Sequence, residues 1–208
     1  MVAIIGFVSQ KGGVGKSTLA RAVAREAAHN DLTVKIADLD TQQGTSTNWH
    51  RRRLDQIIEP TFSVELYRSA HNALKNTDID LLILDGPART SIGTLDVAKS
   101  ADLIVQPTGA SIDDLEPAIL VFHELIQSGI SKDKLIFALS KVGTDAEEHD
   151  ARIYISKSGY EVADGCVFER PAYRQAQNLG HTITETKYAS LNDRACELVL
   201  FLVKLAAR

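Results

Sequence analysis

Residues 3–18 read Ala3-Ile4-Ile5-Gly6-Phe7-Val8-Ser9-Gln10-Lys11-Gly12-Gly13-Val14-Gly15-Lys16-Ser17-Thr18. The apolar run Ala3–Val8 has the length and branched content of a buried strand and starts almost at Met1. Leu19, Val23 and Ala27 then recur at four-residue spacing within Ser17–Asn30, the repeat of a helix face. Strand, glycine-rich loop and helix in that order are the setting a phosphate-binding loop requires. Glycine lets backbone N–H groups turn inward around phosphate oxygens without Cβ clashes, and the following helix aims the positive end of its dipole at the anion. The loop therefore offers Gly12, Gly13, Val14, Gly15, Lys16, Ser17 and Thr18 as a phosphate cradle. Lys16 is placed to neutralise β- and γ-phosphates, and the Ser17 hydroxyl to ligate Mg²⁺. The plain pattern G-x-x-x-x-G-K-[ST] is broken at its first position: Gln10 replaces glycine, and Lys11 precedes the glycine pair.

Outward from this loop, Thr33–Ala37, Leu81–Leu84, Leu103–Val105 and Leu135–Leu139 are short, nearly continuous apolar runs, as expected of strands buried on both faces of a parallel sheet. Ile112–Gln127 carries Leu115, Ile119, Phe122 and Ile126 near helical spacing and is stopped by Gly129. Phe62–Leu66 and Tyr160–Val167 read as further strands, and Ser69–Asn76, Ala146–Lys157 and Leu191–Ala207 as helices. Strands alternating with helical crossovers predict an α/β fold: a doubly wound, mostly parallel sheet flanked by helices, of the P-loop NTPase type. No Pro- or Ser-rich linker, low-complexity run or repeat interrupts residues 1–208, so a single domain is expected. With 44% apolar and 24% charged residues the chain is globular in composition. Lys plus Arg number 23 against 27 Asp plus Glu, a net charge of −4. That excludes nucleic-acid binding by bulk charge but leaves room for a local basic patch. Two cysteines, Cys166 and Cys196, make neither a disulfide framework nor a four-ligand zinc site, and a cytoplasmic free-thiol protein is expected. No apolar run reaches the ~20 residues of a membrane span. The N-terminus lacks the basic segment and cleavage site of a signal peptide.

Ligands of open α/β sheets bind at the carboxyl ends of strands, and two further strands end in acids. Val34-Lys35-Ile36-Ala37 leads into Asp38-Leu39-Asp40, and Leu81-Leu82-Ile83-Leu84 into Asp85-Gly86-Pro87. The second has the shape of a Walker B segment, an apolar strand tipped by an aspartate that holds Mg²⁺ through water. Asp38 and Asp40 are two apart and face one side if the chain stays extended. The alternative is that either acid caps a helix.

Lys11-Gly12-Gly13-Val14-Gly15-Lys16-Ser17 resembles the deviant Walker A motif of the ParA/MinD group of P-loop ATPases. In that group the lysine matching Lys11 reaches across a nucleotide-sandwich dimer to the partner's ATP. The resemblance implies that Lys11 acts in trans as a catalytic, charge-stabilising residue beside Lys16, comparable to an arginine finger. It also implies that Asp40 orients the attacking water and that Asp38 joins Ser17 and Asp85 in the Mg²⁺ shell. The group's D-x-D-P-Q reads Asp38-Leu39-Asp40-Thr41-Gln42 here, and the loss of proline at Thr41 leaves a less rigid loop. Gly86-Pro87-Ala88 resembles the switch segment after Walker B. Arg89 beside it is either a dimer or nucleotide contact or a solvated side chain.

Arg170-Pro171-Ala172-Tyr173-Arg174-Gln175-Ala176, continuing to Gly180-His181-Thr182-Ile183-Thr184-Glu185, resembles the R-x-A-Y-R-x-A…G-x-T-[VI]-x-E stretch of small plasmid-type ParA proteins. That is the compact class without an added N-terminal DNA-binding domain, and the chain length fits it. By this resemblance Arg170 and Arg174 contact DNA; the alternative is pairing with a nearby acid. Where the group often has asparagine after its sixth strand, this chain has Ser140-Lys141, and Lys141 is a candidate for the adenine face. ATP as the nucleotide rests on the resemblance.

Trp49-His50-Arg51-Arg52-Arg53, on a helix starting near Ser46, is the dense basic run; it reads as a solvated helix face, with a DNA or partner surface as the alternative. His29, His71, His123, His149 and His181 show no metal-ligand spacing. Leu198–Val203 is apolar nearly all round and is followed by Lys204 and Arg208, which suits a helix packed on the domain better than a basic amphipathic membrane helix. The expectation is an Mg²⁺-dependent ATPase that forms an ATP-sandwich homodimer and binds DNA non-specifically. It would drive plasmid or chromosome partition with a ParB-type or small adaptor DNA-binding protein, in the cytoplasm on the nucleoid and with no membrane partner. The rivals are a positioning ATPase for a non-DNA cargo such as a protein array or microcompartment, a MinD-like membrane-associated ATPase, a metabolic ligase or iron–sulfur reductase relative, and a nucleotide-binding scaffold without turnover. No cysteine lies between Asp85 and Cys166 to hold a cluster.

Overall fold

Strands that are apolar on both faces need helices on both sides, and the chain supplies them in alternation. The computed structural model describes residues 2–75, 78–87 and 91–206. In chain order it runs β1 (Ala3–Phe7), α1 (Lys16–His29), β2 (Val34–Asp38), α2 (Thr45–Asp55), β3 (Ser63–Leu66), α3 (Ala70–Ala73), β4 (Leu81–Asp85) and α4 (Ser91–Ser100). There follow β5 (Leu103–Thr108), α5 (Ile112–Gln127), β6 (Leu135–Val142), α6 (Asp145–Lys157), β7 (Glu161–Val162), β8 (Val167–Phe168), α7 (Pro171–Asn178) and α8 (Ala189–Ala206). Every strand pairing among the described residues is parallel. The order across the sheet is β3-β2-β4-β1-β5-β6-β7, with β8 paired to β6. From β1 the chain steps outward to β2 and β3, returns with β4, and crosses to the far side of β1 with β5. The order thus reverses beside β1, so the crevice of this doubly wound sheet opens where the loop of residues 9–15 stands.

Strand alternation sorts the core into two layers. Leu81 and Ile83 of β4 pack with Leu19 and Val23 of α1, Trp49 of α2 and Leu198 and Leu202 of α8. Leu82 and Leu84 pack on the other face with Val97 of α4, Phe122 of α5 and Ile155 of α6. The C-terminal helix buries Ala195, Leu198, Val199 and Leu202 in this core. Among the described residues no helix is long and apolar enough to cross a membrane.

Several local expectations are corrected. Ser69–Asn76 contributes only the single turn α3, begun by Ser69, whose side chain accepts from the Asn72 N–H at 3.4 Å. The strand read over Tyr160–Val167 is two strands, because Gly165 turns the chain between them at φ 74°. Helices α4 and α7 went unread; α4 carries Gly93 and Thr94, and α7 lies inside a stretch read only as a motif. Trp49 and Arg53 are 0% and 1% exposed, so the solvated face of α2 is left to Arg51 and Arg52. Asn76, Ala88, Arg89, Ala207 and Arg208 lie outside the described residues.

Burial of Arg53 is compensated by Glu185. Arg53 Nη1 donates to Glu185 Oε2 at 2.8 Å and Nη2 to Oε1 at 3.1 Å, while Arg25 Nε donates to Oε1 at 3.2 Å. The Thr182 N–H adds a fourth bond, to Oε2 at 2.8 Å. Burial pushes the Glu185 carboxyl up, but the hydrogen bonds from Arg53 and Thr182 and the charges of Arg53 and Arg25 outweigh it and leave it below the usual glutamate range. One carboxylate thus clamps α1, α2 and the segment after α7. Glu185→Ala leaves Arg53 desolvated without its counter-charge and is expected to cost about 3 kcal/mol, read from the urea midpoint. Because the folded pKa is depressed, this stabilisation is fully present above the unfolded value of about 4.3 and is lost as pH falls through the folded one. Stability of the variant should therefore fall less steeply in acid than that of the parent.

Candidate functional site

The loop after β1 reaches the start of α1 through Gly15 at φ 111°, where a Cβ would stand 2.7 Å from Ser140 Oγ. Only glycine combines that torsion with that approach. The first turn of α1 carries no acid, so its N–H ends are left to an anion. The exit from β4 is equally constrained: the Gly86 N–H donates to Phe7 O at 3.0 Å, and a Cβ on Gly86 would meet that oxygen at 2.4 Å. These two glycines bring the Walker B strand end against the phosphate loop.

A cleft of about 860 Å³ opens there. Gly12, Gly13, Gly15, Lys16, Ser17 and Thr18 form its floor. Asp40, Arg21 and Arg52 also line it, as do Lys141 and, from the stretch around α7, Arg170, Arg174 and Gln177. Val14 is buried and off this surface. Thr18 Oγ1 donates to Gln177 Oε1 at 3.1 Å, tying the loop's end to α7. Burial pushes the Lys16 ammonium below its ordinary pKa, while Asp85 and Asp40 pull it back up. A phosphate in the cleft would add a further counter-charge to those of Asp85 and Asp40.

Asp85 is 2% exposed and sits behind the floor. Burial raises its pKa, and the Ser46 hydroxyl, which donates to Oδ2 at 2.7 Å, opposes the rise. Its Oδ1 is buried and has no hydrogen-bond partner among the described residues. An orphaned carboxylate oxygen behind a serine hydroxyl at a phosphate loop is a donor set that fits Mg²⁺ and its water shell. No group of three or more His, Cys, Asp or Glu side chains able to close around a metal occurs among the described residues.

The two acids after β2 part company. The strand ends at Asp38, and Asp40 lies in a turn closed by the Gly44 N–H on Asp40 O at 2.7 Å. Asp38 is 1% exposed; its Oδ2 accepts from the N–H groups of Ser46 at 2.9 Å and Thr47 at 3.0 Å. It holds the first turn of α2, as the helix-capping alternative has it, and does not line the cleft. Asp40 does line it, its Oδ1 accepting from the Gln43 N–H at 3.1 Å. The two therefore do different things: Asp38 is taken up by the first turn of α2, and Asp40 borders the cleft.

Lys11 stands away from the cleft of its own chain. Its half-exposed side chain pairs with the Asp114 carboxylate on α5 and reaches Asp113 O at 3.4 Å. Arg170 and Arg174 lie on the rim. The Arg170 guanidinium covers the Phe168 ring at 5.2 Å, and Arg174 Nη1 lies 3.3 Å from Glu169 Oε1, both partners exposed. Lys141 faces the cleft from a bulge in β6 with φ 60°, an unusual torsion for lysine. Sequence reading missed Arg21, Arg52 and Gln177; for Arg21 the available signal was its place one helical turn after Ser17.

Residues 5–183 match the CobQ/CobB/MinD/ParA nucleotide binding domain. A search of curated proteins finds no match. The fold is similar to that of septum site-determining protein MinD from Pyrococcus horikoshii OT3 complexed with Mg-ADP, at TM-score 0.75 and 18% identity over 99% of this chain and 98% of that one. It is similar to a putative plasmid partition protein from Borrelia burgdorferi B31 bound to AMPPNP, at TM-score 0.70 and 16% identity over 96% and 99%. It is also similar to a variant of Cyanothece McdA in complex with ATP, at TM-score 0.71 and 18% identity over 99% and 96%.

Proposed function

We propose that this chain, which belongs to the CobQ/CobB/MinD/ParA nucleotide-binding family, is an Mg²⁺-dependent ATPase whose ATP-bound form is a sandwich homodimer that binds DNA non-specifically and drives plasmid or chromosome partition. The observation that carries the reading is the division of labour around one cleft: the phosphate loop and Asp40 line it, Asp85 backs it, and Lys11 stands outside it. A second lysine that cannot serve its own loop in this arrangement has a role if it serves a neighbour's.

In this reading the loop N–H groups and Lys16 bind the β- and γ-phosphates. Ser17 and Asp85, with Asp38 farther out, would hold Mg²⁺, which when bound would supply positive charge to the phosphate oxygens. Asp40, fixed by its turn, orients a water whose oxygen attacks the γ-phosphorus as the bond to the bridging oxygen breaks, giving ADP and phosphate. Lys11 leaves Asp114 and stabilises the partner's γ-phosphoryl charge in trans. Arg170 and Arg174, on the rim, contact DNA, and a ParB-type or small adaptor protein links the dimer to its cargo on the nucleoid.

The role of Asp40 gives the first test. Asp40→Ala should bind ATP and form the dimer, yet hydrolyse about 10²- to 10⁴-fold more slowly. Light scattering after gel filtration in ATP and single-turnover phosphate release read the two properties separately. Dimerisation with undiminished turnover would remove Asp40 from the reaction, and no ATP-dependent dimer in the parent protein would overturn the sandwich.

A further inference from the structure

Arg21 is a charged side chain where a globular core rarely keeps one: its residue is 5% exposed, on the face of α1 that carries Ser17 one turn earlier. Its guanidinium lies 5.2 Å from the centre of the Trp49 ring, and the Trp49 indole N–H is itself fixed to His181 O at 3.1 Å. Among the described residues, the one side-chain hydrogen bond of Arg21 is directed at the site. Its Nε donates to Ser46 Oγ at 3.1 Å, and Ser46 Oγ lies 2.7 Å from Asp85 Oδ2. A guanidinium N–H can only donate, so it occupies a lone pair of the Ser46 oxygen and turns the single hydroxyl proton toward Asp85. Oδ2 is thereby engaged, and Oδ1 is left as the orphaned oxygen of the carboxylate. The other end of the guanidinium is also unsatisfied: Nη2 is buried with no hydrogen-bond partner among the described residues, on a side chain that borders the cleft. A buried donor and a buried acceptor left open at the two ends of one chain of contacts are more than packing requires.

From this chain of contacts we infer that Arg21 is a positioning residue of the metal site, acting through Ser46 to set which oxygen of Asp85 faces the cation. The inference rests on the Mg²⁺–ATP reading of the cleft. The Ser46 N–H also bonds Asp38 Oδ2 at 2.9 Å, so one residue of α2 links both strand-end acids to Arg21. The orientation of Asp85 depends in this way on a helix that the phosphate loop does not belong to.

The experiment compares the parent with Arg21→Met, Arg21→Lys, Ser46→Ala and the double variant Arg21→Met/Ser46→Ala. Binding of a fluorescent ATP analogue is titrated with Mg²⁺ and repeated in EDTA, and the ligand-free thermal midpoint is recorded. Arg21→Met and Ser46→Ala should each raise the Mg²⁺ concentration for half-maximal tight binding by about tenfold or more, the usual consequence of removing a partner of a metal-holding group. Binding in EDTA should change little. The double variant should be no worse than the poorer single one, because both remove the same link. Arg21→Lys, which can still donate to Ser46 but not in the same fork geometry, should fall between parent and Arg21→Met. An unchanged Mg²⁺ dependence in Ser46→Ala, a loss confined to the thermal midpoint, or a double variant showing the product of the two single effects would each overturn the inference. If the parent itself shows no Mg²⁺-dependent nucleotide binding, the reading of the cleft falls as well, whereas failure in the variants alone leaves that reading intact.

Discussion

Lys11→Ala is expected to abolish ATP turnover, a loss of about 10³-fold or more, while leaving the affinity of a single protomer for ATP nearly unchanged. The size follows from the role: one cation supplied in trans to a transferring γ-phosphoryl group is worth about 10³–10⁵ in rate. The preserved affinity follows from position, since Lys11 does not line the cleft and instead pairs with Asp114 at the start of α5. The ion pair given up is half exposed on the lysine side, so breaking it costs little, about 1 kcal/mol or less. ATP binding measured by equilibrium dialysis at low protein concentration and turnover measured at high concentration separate the two effects. A mixture of Lys11→Ala and Asp40→Ala chains should recover turnover, because a mixed dimer holds one site with its own Asp40 and a partner's Lys11. A variant with full turnover would remove Lys11 from the reaction, and one that binds ATP far more weakly as a monomer would place Lys11 in its own chain's site.

Lys16→Ala should fail one step earlier. Lys16 is 7% exposed and lines the cleft, and burial pushes its ammonium below its ordinary pKa despite Asp85 and Asp40, so a phosphate's charge would be felt strongly there. Hydrogen bonds to charged groups contribute about 1.5–3 kcal/mol each, so loss of contacts to two phosphates weakens binding by about 100-fold or more. No ATP-dependent dimer should then form at any practical ATP concentration. Titration with the fluorescent ATP analogue, followed by light scattering in excess ATP, checks both statements. Dimers of Lys16→Ala persisting in ATP would refute the assignment of the loop.

That the loop departs from the plain phosphate-loop pattern was legible in the chain itself, while a separate role for Lys11 came only from its resemblance to the ParA/MinD group. Gln10 in place of glycine and Lys11 ahead of the glycine pair marked the loop as a variant, and the strand before it and helix after it placed it at the sheet's crevice. Asp85 was equally plain, being the tip of an apolar run that became the fully buried strand β4. What could not be read depends on contacts distant in sequence. Asp38 and Asp40 looked equivalent under a two-residue period, and only the turn after Asp38 and the approach of α2 distinguish them. Arg53 looked solvated because the Glu185 that neutralises it lies 132 residues on. Arg21 offered only its place one helical turn after Ser17, since Ser46, to which it donates, and Asp85 beyond it come from two other elements. Short elements failed for a related reason: α3 and β7 are too brief for a period to establish itself, and their form is set by neighbours.

The rim arginines bear on the central claim, that ATP occupancy of this cleft creates a dimer that holds DNA. Arg170 and Arg174 border the nucleotide cleft, so any surface they form for DNA is built beside the bound nucleotide. The chain's net charge of −4 supplies no general attraction for DNA, and binding must come from such a local patch. The most direct measurement is binding of the purified protein to random-sequence duplex DNA with Mg²⁺–ATP and with Mg²⁺–ADP, at one low and one near-physiological salt concentration. The account predicts binding in ATP, little or none in ADP, and weakening as salt rises. Equal binding in the two nucleotides, or none in either from a protein that takes up ATP and dimerises, would contradict it.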